Sequence, residues 1–215
     1  MQMDTPKWLN VALWLSIVTI AYNIVEGLVS VYFGSTDDTL ALLGFGIDSF
    51  VEVISGIGIL HMVIRMQRSE IKDFDKFERL ALRITGIAFM LLAVGLVVGS
   101  VLKIIQNSKP ETTLAGIVIA AISILTMYFL MYYKLKTGKE LHSEAIIADA
   151  HCTRTCLYLS FILLASSILF ELFKISYIDI AGSLGIAWYA FSEGRESLEK
   201  ARKNQLACSC CDNCH

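Results

Sequence analysis

The sequence predicts an all-α membrane protein, a bundle of six transmembrane helices with both termini cytoplasmic, on three observations. First, 55% of its 215 residues are hydrophobic and only 18% charged, with a mean hydropathy of +0.62; a soluble domain carries about a quarter charged residues. Second, the charges gather in short stretches between apolar runs, and crossing a bilayer takes roughly 20 apolar residues. Third, Lys and Arg fall mainly on one set of connections. The prolines, Pro6 and Pro110, sit outside the apolar runs and force no kink within them. A net charge of −2 argues against a nucleic-acid partner.

The first apolar run, from Trp8 to Phe33, is too long for the apolar stretch of a secretory signal, contains Asn23 and Glu26, and has no clear small-residue cleavage site. It reads as a retained first span. The six spans are expected at about 8–33, 40–64, 81–103, 112–133, 144–173 and 176–194. The third and fourth are free of charge from Ile84 to Leu102 and from Thr112 to Tyr133. The first, second, fifth and sixth carry ionisable groups, and an intramembrane ionisable group points to function.

Orientation follows from the basic residues. Lys7, the connection carrying Arg65, Arg68, Lys72, Lys76, Arg79 and Arg83, the connection carrying Lys134, Lys136 and Lys139, and the end carrying Arg195, Lys200, Arg202 and Lys203 put 14 on one side. Lys103, Lys109 and Lys174 lie on the other, and Arg154 lies within the fifth span. The expected organisation is one six-helix domain over 1–203 and a Cys-rich cytoplasmic tail over 204–215, in a multi-pass protein of the cell inner or plasma membrane.

The second span reads LLGFGIDSFVEVISG. Asp48 and Glu52 are four residues apart and share one helix face. Two carboxylates in hydrocarbon are costly, and a cation between them would account for both; alternatively they line a solvated cleft or pair with Arg154. The fifth span reads AIIADAHCTRTCLYLS, with Cys152 and Cys156 on the same spacing. Thiolates are soft ligands for zinc and other late divalent metals; otherwise the pair are small core residues. An intrahelical disulfide fits this spacing poorly. Two helices presenting two ligands each can build the tetrahedral site that zinc prefers, near the membrane midplane, as in secondary transporters.

These motifs resemble the cation diffusion facilitator (cation efflux) family. The stretch GSTDDTLALLGFGIDSFVEVISG is similar to the family's end of span one through span two, and Asp48 and Glu52 fall on its second-span ligand pair. In the fifth span Ser143, Ala145, Ala148 and Asp149 match the family pattern, which places Cys152 and Cys156 on its ligand positions. The resemblance covers most of residues 8–200 and implies six spans, cytoplasmic termini, metal–proton antiport and a homodimer. Two departures stand out. The family's usual fifth-span pair is histidine and aspartate, and its usual C-terminal cytoplasmic domain is missing, as expected of a short subgroup. Two thiols with two carboxylates suit Zn2+ or another soft divalent metal better than magnesium or calcium.

Glu26, Asp149 and His151 are expected to support the site. Asp149 could line the metal's entry path, and His151, about 100° around the helix from Cys152, could replace a cysteine if the register shifts by one. Arg154 is expected to pair with Glu26 or Asp149. Asp179 reads as a helix cap. Asp37 and Asp38 read as a solvated outer loop. The tail CSCCDNCH offers Cys208, Cys210, Cys211, Cys214 and His215 as soft ligands, or else is a lipidated or disordered cluster.

The function expected is export of a zinc-like divalent transition metal by alternating access, with protons exchanged because the ligands must shed them to bind metal. The partners are then the metal, protons and membrane lipid. The alternatives are a membrane thiol oxidoreductase using Cys152 and Cys156, or a membrane-bound metal sensor working through the tail. Redox pairs are usually separated by two residues rather than three, which disfavours the oxidoreductase.

Overall fold

Backbone polar groups in hydrocarbon must be satisfied within the segment, so apolar runs of this length form helices. A computed structural model describes residues 5–67, 74–106, 110, 113–141 and 143–203. They form six helices: α1 (Thr5–Thr36), α2 (Leu40–Gln67), α3 (Phe74–Gln106), α4 (Leu114–Glu140), α5 (Glu144–Phe173) and α6 (Ser176–Lys203). The shortest, α4, has 27 residues, about 40 Å at 1.5 Å per residue, against an apolar membrane core of about 30 Å. Five helices are long and apolar enough to cross a membrane. The sixth falls short in composition, with Asp179 near its start and charges gathering from Glu193 onward. The tail at 204–215 lies outside the described residues.

The distribution of side chains inverts that of a water-soluble bundle. Trp14, Leu91, Leu172 and Trp188 face outward, Trp188 with 75% of its surface exposed, while Asn23, Asp48, Ser123, Thr153 and Ser160 are buried. Exposed apolar residues are common on any protein surface; buried polar ones are the informative observation. Together they describe a multi-pass membrane protein that keeps its polar groups for the interior.

The helices associate most extensively as α1 with α2, α3 with α6, and α4 with α5. Small residues permit the approach. At Gly34 of α1 a Cβ would stand 2.6 Å from the backbone nitrogen of Leu43 in α2. Between α3 and α6, Gly86 and Gly194 face one another, and a Cβ on either would stand 3.0–3.1 Å from the other's carbonyl oxygen. Phe45, Leu96, Leu163 and Ile186 fill the core joining α2, α3, α5 and α6.

Asp179 is a cap, though for α2 rather than for its own helix. Its carboxylate accepts from the backbone N–H of Leu40 at 3.1 Å and of Ala41 at 3.2 Å, the orphan donors of the first turn of α2. Lys103 of α3 stands 3.6 Å from Asp179 and 3.3 Å from Asp38, so Lys103 and Asp38, expected in connections exposed to solvent, are tied into one ionic cluster. At the other end of the bundle a short turn joins α4 to α5, and Ser143 caps α5 by accepting from the N–H of Ile146 at 3.5 Å. That turn sets α4 antiparallel to α5 and brings Lys134 against the start of α5.

Candidate metal centre

Helical spacing places Asp48 and Glu52 on one face of α2, and the packing of α2 against α5 buries that face. Asp48 is 1% exposed and Glu52 7%. From α5, the Cys156 thiol donates to Asp48 Oδ2 at 3.5 Å. Asp48 Oδ1 and both carboxylate oxygens of Glu52 are buried with no hydrogen-bond partner within the protein. A buried acceptor left without a donor carries a desolvation penalty. Three such oxygens beside a thiol form an acceptor-rich cluster that a cation would satisfy.

Cys152 stands one turn before Cys156, half-buried, and neither is held in a disulfide. Among the described residues no group of three or more His, Cys, Asp or Glu is drawn together closely enough to hold a metal ion. The structure thus joins Asp48 to Cys156 and buries Glu52 with open acceptor oxygens, without closing a four-ligand shell. His151 is half-buried on the same helix. Cys208, Cys210, Cys211, Cys214 and His215 lie outside the described residues.

A second buried acid adjoins the pair. Glu26 of α1 accepts from the Tyr22 hydroxyl at 2.8 Å and from the Ser49 hydroxyl at 3.0 Å. Ser49 follows Asp48 in the chain, so Glu26 borders the site through a hydroxyl. Both its oxygens are satisfied from its own helix and from α2. A buried hydrogen bond between Ser160 of α5 and Ser123 of α4, 2.9 Å long, extends the polar interior.

The site also contains a residue that the reading by spans misplaces. Lys134 was expected with Lys136 and Lys139 in a basic connection, yet α4 runs on to Glu140 and Lys134 is 2% exposed. Its ammonium stands 2.9 Å from Asp149 Oδ2 and donates to Thr153 Oγ1 at 2.9 Å. Lys134 is thus a salt-bridge partner of Asp149. The signal was present in the spacing: Gly116, Ala120, Ser123, Met127, Leu130, Lys134 and Thr137 follow one another by steps of four and three, all buried on one face of α4. Charge alone hid it among its basic neighbours.

With this geometry in view, comparison with known proteins gives three matches. Residues 12–204 match the cation efflux transmembrane domain, bearing out the resemblance read from the motifs. The chain is 31% identical over 183 residues to an uncharacterized transporter of Methanocaldococcus jannaschii, an alignment covering 81% of this chain and 64% of that protein. It is 25% identical over 142 residues to the manganese efflux system protein MneP of Bacillus subtilis, covering 64% of this chain and 47% of that protein. The chain therefore spans roughly half to two thirds of the length of these relatives.

Proposed function

Because the chain belongs to the cation efflux family, we propose that it exports a divalent transition metal, with Asp48, Glu52, Cys152 and Cys156 as the transport ligands. The supporting observation is the Cys156–Asp48 contact at 3.5 Å between α5 and α2, beside three buried carboxylate oxygens that make no hydrogen bond of normal geometry. Such oxygens favour a cation over a neutral solute. A thiol among them favours a late transition metal over magnesium or calcium.

The cargo is a soft divalent ion, with zinc the leading case. Manganese is the other metal to test, since one relative is named for manganese efflux. Carboxylates suit manganese and thiolates suit zinc, so the two cysteines are the residues that separate these cargoes. Binding requires ligands without their protons, and metal release returns them; this exchange is the basis for metal–proton antiport. Alternating access then requires α2 and α5 to shift so that the ligands close around the ion on one side and open on the other. A homodimer with both termini cytoplasmic completes the proposal, with the cysteines of the tail as a second metal-binding segment.

Isothermal titration of the purified full chain with zinc tests this reading. The wild type should bind, and Asp48→Asn and Glu52→Gln should each lose most of the affinity. Wild-type affinity in both variants would remove these carboxylates from the site.

A further inference from the structure

Helix α1 contributes none of the four ligands proposed above, yet its interior face is polar. Ser16, Thr19, Asn23, Glu26 and Ser30 follow one another by steps of three and four and are all buried, while Trp14, Val25, Leu28 and Tyr32 face outward. Ser16 and Thr19 donate to their own helix, at Ala12 O and Leu15 O. Glu26 is satisfied by Tyr22 and Ser49. Asn23 differs. Its amide Nδ2 donates to Thr19 O at 3.0 Å, which fixes the orientation of the amide, since the reverse would set two carbonyl oxygens against each other. The Asn23 carbonyl is left as a buried acceptor that makes no hydrogen bond of normal geometry.

Few buried side-chain oxygens among the described residues share this condition. The hydroxyls of Ser30, Thr137 and Ser167 do, but each can turn to donate. The others can only accept: Asp48 Oδ1, both carboxylate oxygens of Glu52, and Asn23 Oδ1. Asn23 thus has an unmet need for a positive partner in common with the carboxylate pair alone.

The antiparallel packing of α1 on α2 brings these residues to one level. Ser30 meets Gly46, where a Cβ would stand 2.8 Å from the serine Cβ. One turn on, Glu26 meets Ser49 at 3.0 Å. Beyond that Ile20 meets Gly56, where a Cβ would stand 3.0 Å from Ile20 Cγ1. Asn23 lies three residues before Glu26 and Glu52 three after Ser49, so the two share the turn between the Glu26–Ser49 and Ile20–Gly56 contacts.

We propose that Asn23 is a further cargo ligand, its side-chain carbonyl joining the coordination shell of the ion held by Asp48 and Glu52. The proposal rests on the reading of those carboxylates as cargo ligands. His, Cys, Asp and Glu side chains do not by themselves close a shell among the described residues, and a carboxamide oxygen is a hard donor that adds to one without adding charge. Zinc is content with four ligands, whereas manganese favours a fuller shell of oxygens. Asn23 therefore tunes which metal is carried, while α2 and α5 hold it.

The test is calorimetric binding of Mn2+ and Zn2+ to the full chain in detergent, together with the visible absorption of bound Co2+, for wild type, Asn23→Leu, Asn23→Asp and Asp48→Asn. Leucine is close to asparagine in shape and removes the carbonyl. It should lower Mn2+ affinity on the order of tenfold, as expected for losing one polar contact to a charged group, and Zn2+ affinity by less. The d–d bands of Co2+ should strengthen as its coordination number falls toward four. Asn23→Asp keeps an oxygen at this position and should restore Mn2+ affinity. Asn23→Ala removes the same carbonyl and carries the test if Asn23→Leu does not fold. If Asp48→Asn abolishes binding while the variants lacking the carbonyl keep the wild-type ratio of Mn2+ to Zn2+ affinity and the wild-type Co2+ spectrum, Asn23 is no ligand, and the proposal is overturned while the site stands. If Asp48→Asn binds normally, the site lies elsewhere and the proposal falls with it.

Discussion

The Cys156 sulfur lies 3.5 Å from Asp48 Oδ2, bringing a soft donor and a hard one together from helices 108 residues apart in sequence. This pairing governs which metal the site prefers. Replacing the sulfur by oxygen in Cys156→Ser keeps a small polar group and removes the softness, which should move preference from zinc and cadmium toward manganese. Competition binding should show the zinc-to-manganese affinity ratio falling on the order of tenfold. An unchanged ratio would mean that the thiol is packing and not a ligand.

Binding should weaken as pH falls, because carboxylates and thiols take protons in competition with metal. The sign is fixed: metal binding releases protons, so affinity is greater at about pH 8 than at about pH 6. Titration in weakly buffered solution should record an acidification with each metal addition. Asp48→Asn removes one competing group and should reduce the number of protons released. Affinity that is flat with pH would rule out these ligands as the groups exchanging protons.

The cluster at the start of α2 is a matter of stability. Asp179 is 2% exposed, caps Leu40 and Ala41, and pairs with Lys103. Asp179→Ala would leave Lys103 with Asp38 as its partner but would orphan two backbone donors, which costs about 2 kcal/mol. Denaturant or thermal unfolding in detergent should register the loss, and the folded fraction should still bind one metal per wild-type site. Unchanged stability would show that solvent already satisfies the cluster.

Close packing of α1 on α2 makes a further claim. A Cβ at Gly34 would lie 2.6 Å from the backbone nitrogen of Leu43 and 2.8 Å from its Cα, and backbone atoms cannot rotate aside. Gly34→Val should therefore push the two helices apart and destabilise the protein by about 2 kcal/mol. A melting temperature equal to that of the wild type would contradict the observed approach.

Much of this was legible in the sequence, for identifiable reasons. Apolar length, a local property, located the five helices apolar enough to cross a membrane, and the sixth formed where a shorter apolar run was expected to span; the ends ran longer than the apolar stretches, as with α4 continuing past Tyr133 to Glu140. The spacing of Asp48 with Glu52, and of Cys152 with Cys156, placed each pair on one face before any tertiary structure was known. What could not be read was which face met which. Asp149 finds Lys134 across a helical hairpin, and Asp179 caps a helix that begins 139 residues earlier. Such pairings depend on packing between helices, and sequence periodicity gives a face but not its neighbour. Lys134 shows the limit most clearly: its spacing marked an interior position while its charge, beside Lys136 and Lys139, marked a loop.

Flux in proteoliposomes under an imposed pH gradient, with wild type and Asp48→Asn side by side, tests the central claim most directly. The account predicts zinc or manganese movement that follows the gradient in the wild type and is lost in the variant, with protons moving in the opposite direction. Full flux in Asp48→Asn, or no flux of any divalent transition metal in the wild type, would contradict it.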